Sequence, residues 1–116
     1  MQPSVPPSEG GKLLRAMVHA AMGEHDKQTP EDAIGESVGI SSSVSDAADI
    51  PPDADYDARV RTTLRSLVAN GYLEDDAAMS ARLAQYSGYD YGAYRITEEG
   101  INWLRRFAML EEAEQG

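Results

Sequence analysis

Residues 58 to 76 read ARVRTTLRSLVANGYLEDD, and the way this run folds decides how the rest of the chain is arranged. Val60, Leu64, Leu67 and Val68 recur at helical spacing, which predicts a helix from about Asp57 to Asn70 with these four on its buried side. It stops at Gly71, where a left-handed residue fits at no steric cost, and Tyr72 and Leu73 open an extended segment. The charge of the run is also out of keeping with its surroundings. Between Asp57 and Glu74 stand three arginines and no acid, in a chain whose 20 Asp and Glu outweigh 10 Lys and Arg to give a formal charge of -10.

Upstream, KLLRAMVHAAMGEH places Leu13, Leu14, Met17, Val18, Ala21 and Met22 on one face of a first helix that ends near Gly23. In TPEDAIGESVGI, Thr29 can cap, Pro30 suits the first helical position, and Glu31 and Asp32 meet the positive end of the dipole. A short second helix is therefore expected, with Ala33, Ile34 and Val38 inward and Gly39 closing it. Residues 41 to 55 read as a loop holding one helical turn at SVSDAADI. Downstream, YGAYRI is a second extended segment, and the stretch AAMSARLAQYSGYD before it is too long for a tight hairpin and partly helical. Thr97 then caps a fourth helix with Ile101, Leu104, Phe107 and Ala108 on its inner face.

Length and composition fit this plan. With 116 residues, 41% of them hydrophobic, one compact domain is expected over 12–116, with 1–11, rich in Pro, Ser and Gly, as a disordered tail. The chain has no apolar window of membrane-spanning length and no apolar, basic leader pattern at its start, so a cytoplasmic protein is expected. The lack of cysteine excludes disulfides and thiolate metal sites. The acidity is read first as a surface that keeps the protein soluble with no specific partner, and it also suits a high-salt cytoplasm or an imitation of nucleic acid.

Three stretches together resemble the winged-helix family: VRTTLRSLVANGYLED, YRITEEGINWL and TPEDAIGESVGI. Within it the pattern is most similar to the N-terminal domain of Mrr-type restriction enzymes and related regulators. The resemblance implies an α+β, mostly helical winged helix-turn-helix fold: three helices, a two-stranded wing with a long tip, and a C-terminal helix. It also implies binding to double-stranded DNA as a transcriptional regulator. The restriction nuclease is not implied, because no acid stands two residues before a lysine to build such a site.

On the third helix the outward set is Arg59, Thr62, Arg65, Ser66 and Ala69, with Arg61 on the flank. Small residues among arginines let a helix lie close in a major groove, where Arg reads guanine and Thr or Ser holds phosphate. The competing reading pairs these arginines with Asp53, Asp55 and Asp57. On the wing, Arg82, Tyr86, Tyr89, Tyr91 and Arg95 are candidates for backbone or minor-groove contact, or else the tyrosines fill cross-strand positions, as expected of Tyr72 and Tyr94. Trp103, Phe107 and Leu110 form a second apolar stripe, read either as a homodimer interface or as packing onto the first helix. An acidic module that binds protein and not DNA is the alternative function.

Other chemistry finds little support. DADYD imitates the start of a calcium loop, but its ninth and twelfth positions are Arg61 and Leu64, so no metal is expected. His19 and His25 lack zinc-helix spacing, and neither a nucleophile elbow nor a phosphate-binding glycine loop occurs. Neither a cofactor nor enzymatic activity is expected.

Overall fold

The apolar face expected on the first helix is realised in α1 (Lys12–Glu24), where Leu13, Leu14, Met17, Val18 and Ala21 are all buried. Each fully buried leucine contributes about 2 kcal/mol of transfer free energy. A computed structural model of the chain describes residues 10–24, 26, 29–41, 44, 48, 55–86, 88–89 and 91–107. Gly10 and Gly11, expected in the tail, are buried and run directly into α1, while the rest of the expected tail lies outside the described residues.

TPEDAIGESVGI does not form the expected second helix. Pro30–Ala33 makes a single 3-10 turn, η1, and Ser37–Gly39 is strand β1. Gly35, at φ 90°, turns the chain out of helical geometry. The preceding turn still accepts the N–H groups of Ile34 and Glu36, but the Gly35 N–H and the Glu36 carbonyl are satisfied by a distant strand. The Gly35 N–H donates to the Ile96 carbonyl at 2.8 Å, and the Ile96 N–H donates to the Glu36 carbonyl at 3.0 Å. Val38 is inward as expected, though from a strand, whereas Ile34 is 37% exposed.

In the segment read as a loop, Val44 and Ala48 are buried, and the Ala48 N–H donates to the Val44 carbonyl at 3.1 Å; the rest of SVSDAADI lies outside the described residues. The next elements are α2 (Tyr56–Ala69), β2 (Leu73–Asp75), α3 (Ala77–Leu83), β3 (Ala93–Ile96) and α4 (Glu98–Arg106). The architecture is α+β, predominantly helical among the described residues, and compatible with a winged helix. The expected two-stranded wing is instead part of a three-stranded antiparallel sheet in the order β1-β3-β2. Its register pairs Val38 with Tyr94, Glu74 with Arg95 and Leu73 with Ile96.

Alternation along the strands sorts the sheet into two faces. Val38, Leu73 and Ile96 are buried in the core, and Ser37, Glu74 and Arg95 lie on the outer face. The tip does not project as a wing. Asp76 caps α3 by accepting the Met79 N–H at 3.0 Å, and the helix folds back onto the outer face. There the Ser80 hydroxyl accepts the Ala93 N–H at 2.8 Å, and Leu83 and Tyr89 pack where a side chain on Gly39 would stand.

Helix α4 departs from expectation in two places, Trp103 and Phe107. Ile101 and Leu104 are buried as expected, but Trp103, expected to project sideways, is only 5% exposed and Phe107 is 44% exposed. The Trp103 indole stacks on Tyr72, with ring centroids 4.6 Å apart and planes 11° from parallel, and meets Phe107 edge-on. An aromatic partner at the end of α2 thus draws the indole inside its own chain. Ala108 and Leu110 lie outside the described residues. No helix among the described residues is long and apolar enough to cross a membrane.

Candidate nucleic-acid interface

Asp57 supplies negative charge in the first turn of α2. At the other end, the Asn70 side chain donates to the Ser66 carbonyl at 2.8 Å, Gly71 adopts φ 81°, and the Tyr72 N–H donates to the Leu67 carbonyl at 2.9 Å. The Thr97 hydroxyl donates to the Gly71 carbonyl at 2.7 Å and accepts the Gly100 N–H at 3.0 Å. One hydroxyl therefore caps α4 and fixes the exit of α2. Helix position and direction are set from both ends.

With about 100° of rotation per residue, the polar positions of α2 fall into separate stripes. Val60, Thr63, Leu64 and Leu67 are buried; Thr63 was not expected inside, and Val68, expected there, is half-buried. Arg61, Thr62, Arg65 and Ala69 are exposed, while Arg59 and Ser66 are half-buried on the far flank. The expected outward set is thus split, with Arg61 and Arg65 one turn apart on the flank toward β3.

That flank borders a groove of about 220 Å³ lined by Arg61, Leu64, Arg65, Val68, Asp75, Tyr91 and Tyr94. Four of these lie on α2 at helical spacing, and the others come from β2, β3 and the turn before β3. The Tyr91 hydroxyl donates to the Asp57 carboxylate, and the Arg61 guanidinium lies over the Tyr91 ring, 5.0 Å from its centroid. Burial first, and the bond to Asp57 second, push the Tyr91 hydroxyl up to about 12. The Tyr94 hydroxyl donates to the Tyr91 carbonyl at 3.0 Å, and burial raises its pKa as well. Asp57, weighed as a partner for the arginines, accepts the Tyr91 hydroxyl.

The remaining expected contacts are elsewhere. Arg95 lies on the outer face, bonded to Glu74 at 2.7 Å and Asp76 at 3.5 Å. Arg82 is exposed on α3, close enough to help depress the pKa of Asp76, whose principal cause is the hydrogen bond from the Ser37 hydroxyl. Tyr89 packs over Gly39. Arg82, Tyr89 and Arg95 are therefore separated by the sheet from Arg61 and Arg65. Apart from the i, i+4 spacing of Asp57 and Arg61, no local pattern announces the Tyr91 bridge, and none announces Asp75 on the groove. Asp53, one of the three acids of the calcium-like stretch, and His25 lie outside the described residues.

No family model matches the chain, and neither a curated protein nor a solved structure is significantly similar to it.

Proposed function

We propose that this is a DNA-binding domain of winged-helix type, acting in transcriptional regulation, with α2 as the helix that enters the major groove. The observation that carries the reading is the exposed face of α2, where Ala58, Thr62 and Ala69 are exposed alongside Arg61 and Arg65. Small side chains permit close approach to base edges, and arginines supply bidentate donors to guanine or phosphate. Cation–π contact with Tyr91 orients Arg61 without removing its charge. Arg95 takes no part in this reading, because Glu74 and Asp76 already hold it.

A duplex of mixed sequence, followed by fluorescence anisotropy at several salt concentrations, tests the proposal. Arg65→Ala and Arg61→Ala should each weaken binding at least about tenfold, while Arg95→Ala leaves it within about twofold. Unchanged affinity in the double variant Arg61→Ala/Arg65→Ala would remove α2 from the interface. The ion pairs of Arg95 and the overall charge favour a second reading, an acidic module that binds a basic protein surface. Failure to bind DNA at any salt concentration selects it. Of the stripe read as a homodimer interface, Trp103 is used internally and Phe107 is exposed among the described residues, which weakens the case for a homodimer.

A further inference from the structure

We propose that Arg65 is the residue of α2 that reads sequence, by pairing with the base edge of a guanine in the major groove. The inference rests on the DNA reading and deepens it, since it names the base and the side chain that selects it. With about 100° of rotation per residue, the exposed Ala58, Thr62, Arg65 and Ala69 stand within about 30° of the direction opposite the buried Val60, Thr63, Leu64 and Leu67. Of these four, Arg65 is the one long side chain. Arg61 stands about 70° from that direction, and its guanidinium is drawn to the side, over the Tyr91 ring.

In a major groove about 12 Å wide, base edges form the floor and phosphates the walls. The middle of an inserted helix face therefore meets bases, and its flank meets backbone. Thr62 and Ala69, about one turn before and after Arg65, are short enough to let the helix sink until the guanidinium reaches the floor. Among the described residues Arg65 makes no hydrogen bond or ion pair, and Asp75 borders the same groove without pairing with it, whereas Arg95 and Arg105 are held by carboxylates. The helix from which it reaches is fixed at its exit by Asn70 and Thr97. Guanine is the base that fits a planar fork of donors, because it presents two acceptors, O6 and N7, side by side; adenine sets a donor beside N7, cytosine offers a donor, and thymine has a methyl beside O4.

The probe is a pool of short duplexes with a randomised centre, selected on the immobilised full-length chain at low salt and sequenced. Wild type is expected to enrich guanine at a defined position at least about fivefold over the other bases. Arg65→Lys keeps the charge without the planar fork, so it should still retain the pool and lose the guanine preference, as should Arg65→Ala. Arg61→Ala should weaken binding and enrich the same guanine. In the selected duplex, 7-deazaguanine at that position removes the N7 acceptor; it should lower wild-type affinity at least about fivefold and that of Arg65→Lys less than about twofold. Failure of wild type to retain any duplex would remove the DNA reading and this inference with it. Retention without a preferred guanine, enrichment of the same guanine by Arg65→Ala, or indifference of wild type to 7-deazaguanine would overturn this inference alone and leave the DNA reading standing.

Discussion

Gly100 stands in the first turn of α4, where alanine would ordinarily favour the helix by about 1 kcal/mol. Here an added Cβ would overlap the Tyr72 carbonyl oxygen and lie 3.2 Å from Leu14 Cδ2. The carbonyl cannot swing aside, because Tyr72 is fixed by its bond to Leu67 and by the stacked indole of Trp103. Gly100→Ala is therefore expected to destabilise the protein by about 1–3 kcal/mol, seen as a lower urea midpoint at unchanged m-value. A raised midpoint would mean that propensity outweighs the contact. Asp76 gives a second residue-scale expectation. The Ser37 hydroxyl and then the Met79 N–H hold its carboxyl below the ordinary 3.8, with Arg95 and Arg82 adding less. Its folded pKa lies below its unfolded one, so its contribution is complete above about pH 4 and is lost as pH falls through the folded value. The stability gap between wild type and Asp76→Asn should accordingly narrow on acidification below about pH 4, and a gap independent of pH would exclude this linkage.

Among the elements, α1 and α2 were legible because side-chain period and a terminal glycine are local signals. Strand β1 was not, although TPEDAIGES carries every mark of a helix start. Its fate depends on Ile96, far along the chain, whose backbone groups pair with those of Gly35 and Glu36. The helical period put Phe107 inside and Trp103 to the side, and the structure reverses them, because Tyr72 offers the indole a stacked partner. The candidate site divides in the same way. The arginines of α2 could be read directly, but the placement of Arg95 on the outer face follows from strand register, which no local pattern specifies. The docking of α3 was equally hidden, because its cause is an absence, the missing side chain of Gly39 beneath Leu83 and Tyr89. Gly39→Val should lift α3 from the sheet. Amide exchange around Ser80 and Ala84 is expected to speed up by about tenfold or more, with α1 still protected; uniform protection of both would show that the tip tolerates the added bulk.

At the scale of the whole molecule, 20 acidic residues against 10 basic ones set how stability responds to salt. The described ion pairs, Arg95 with Glu74 and Asp76 and Arg105 with Glu31, weaken as salt rises. Exposed pairs of this kind are each worth no more than about 1 kcal/mol. Against them stands repulsion among the excess carboxylates, which opposes the compact state and is relieved as the screening length falls from about 10 Å at 0.1 M to about 3 Å at 1 M. Cations are too few to pair most of the acids, so relief of repulsion should outweigh loss of attraction. The melting temperature is expected to rise when potassium chloride is increased from about 0.1 M to about 1 M, with most of the gain in the lower part of that range, where screening changes fastest. Screening alone predicts the same gain with sodium chloride at equal ionic strength, whereas a specific potassium site predicts a difference between the two salts. A melting temperature that falls with added salt would mean that the pairs on the outer sheet face and at η1 outweigh the repulsion. Lowering the charge by Glu→Gln replacements at exposed Glu98 and Glu99 would not be a neutral control, since both stand in the first turn of α4 and favour its dipole. Replacement of exposed Asp32 by Asn has the same defect at η1. The suitable site is Glu74→Gln, which removes one acid and one pair together: if repulsion dominates, the variant melts no lower than wild type at about 0.1 M salt and gains less from further addition.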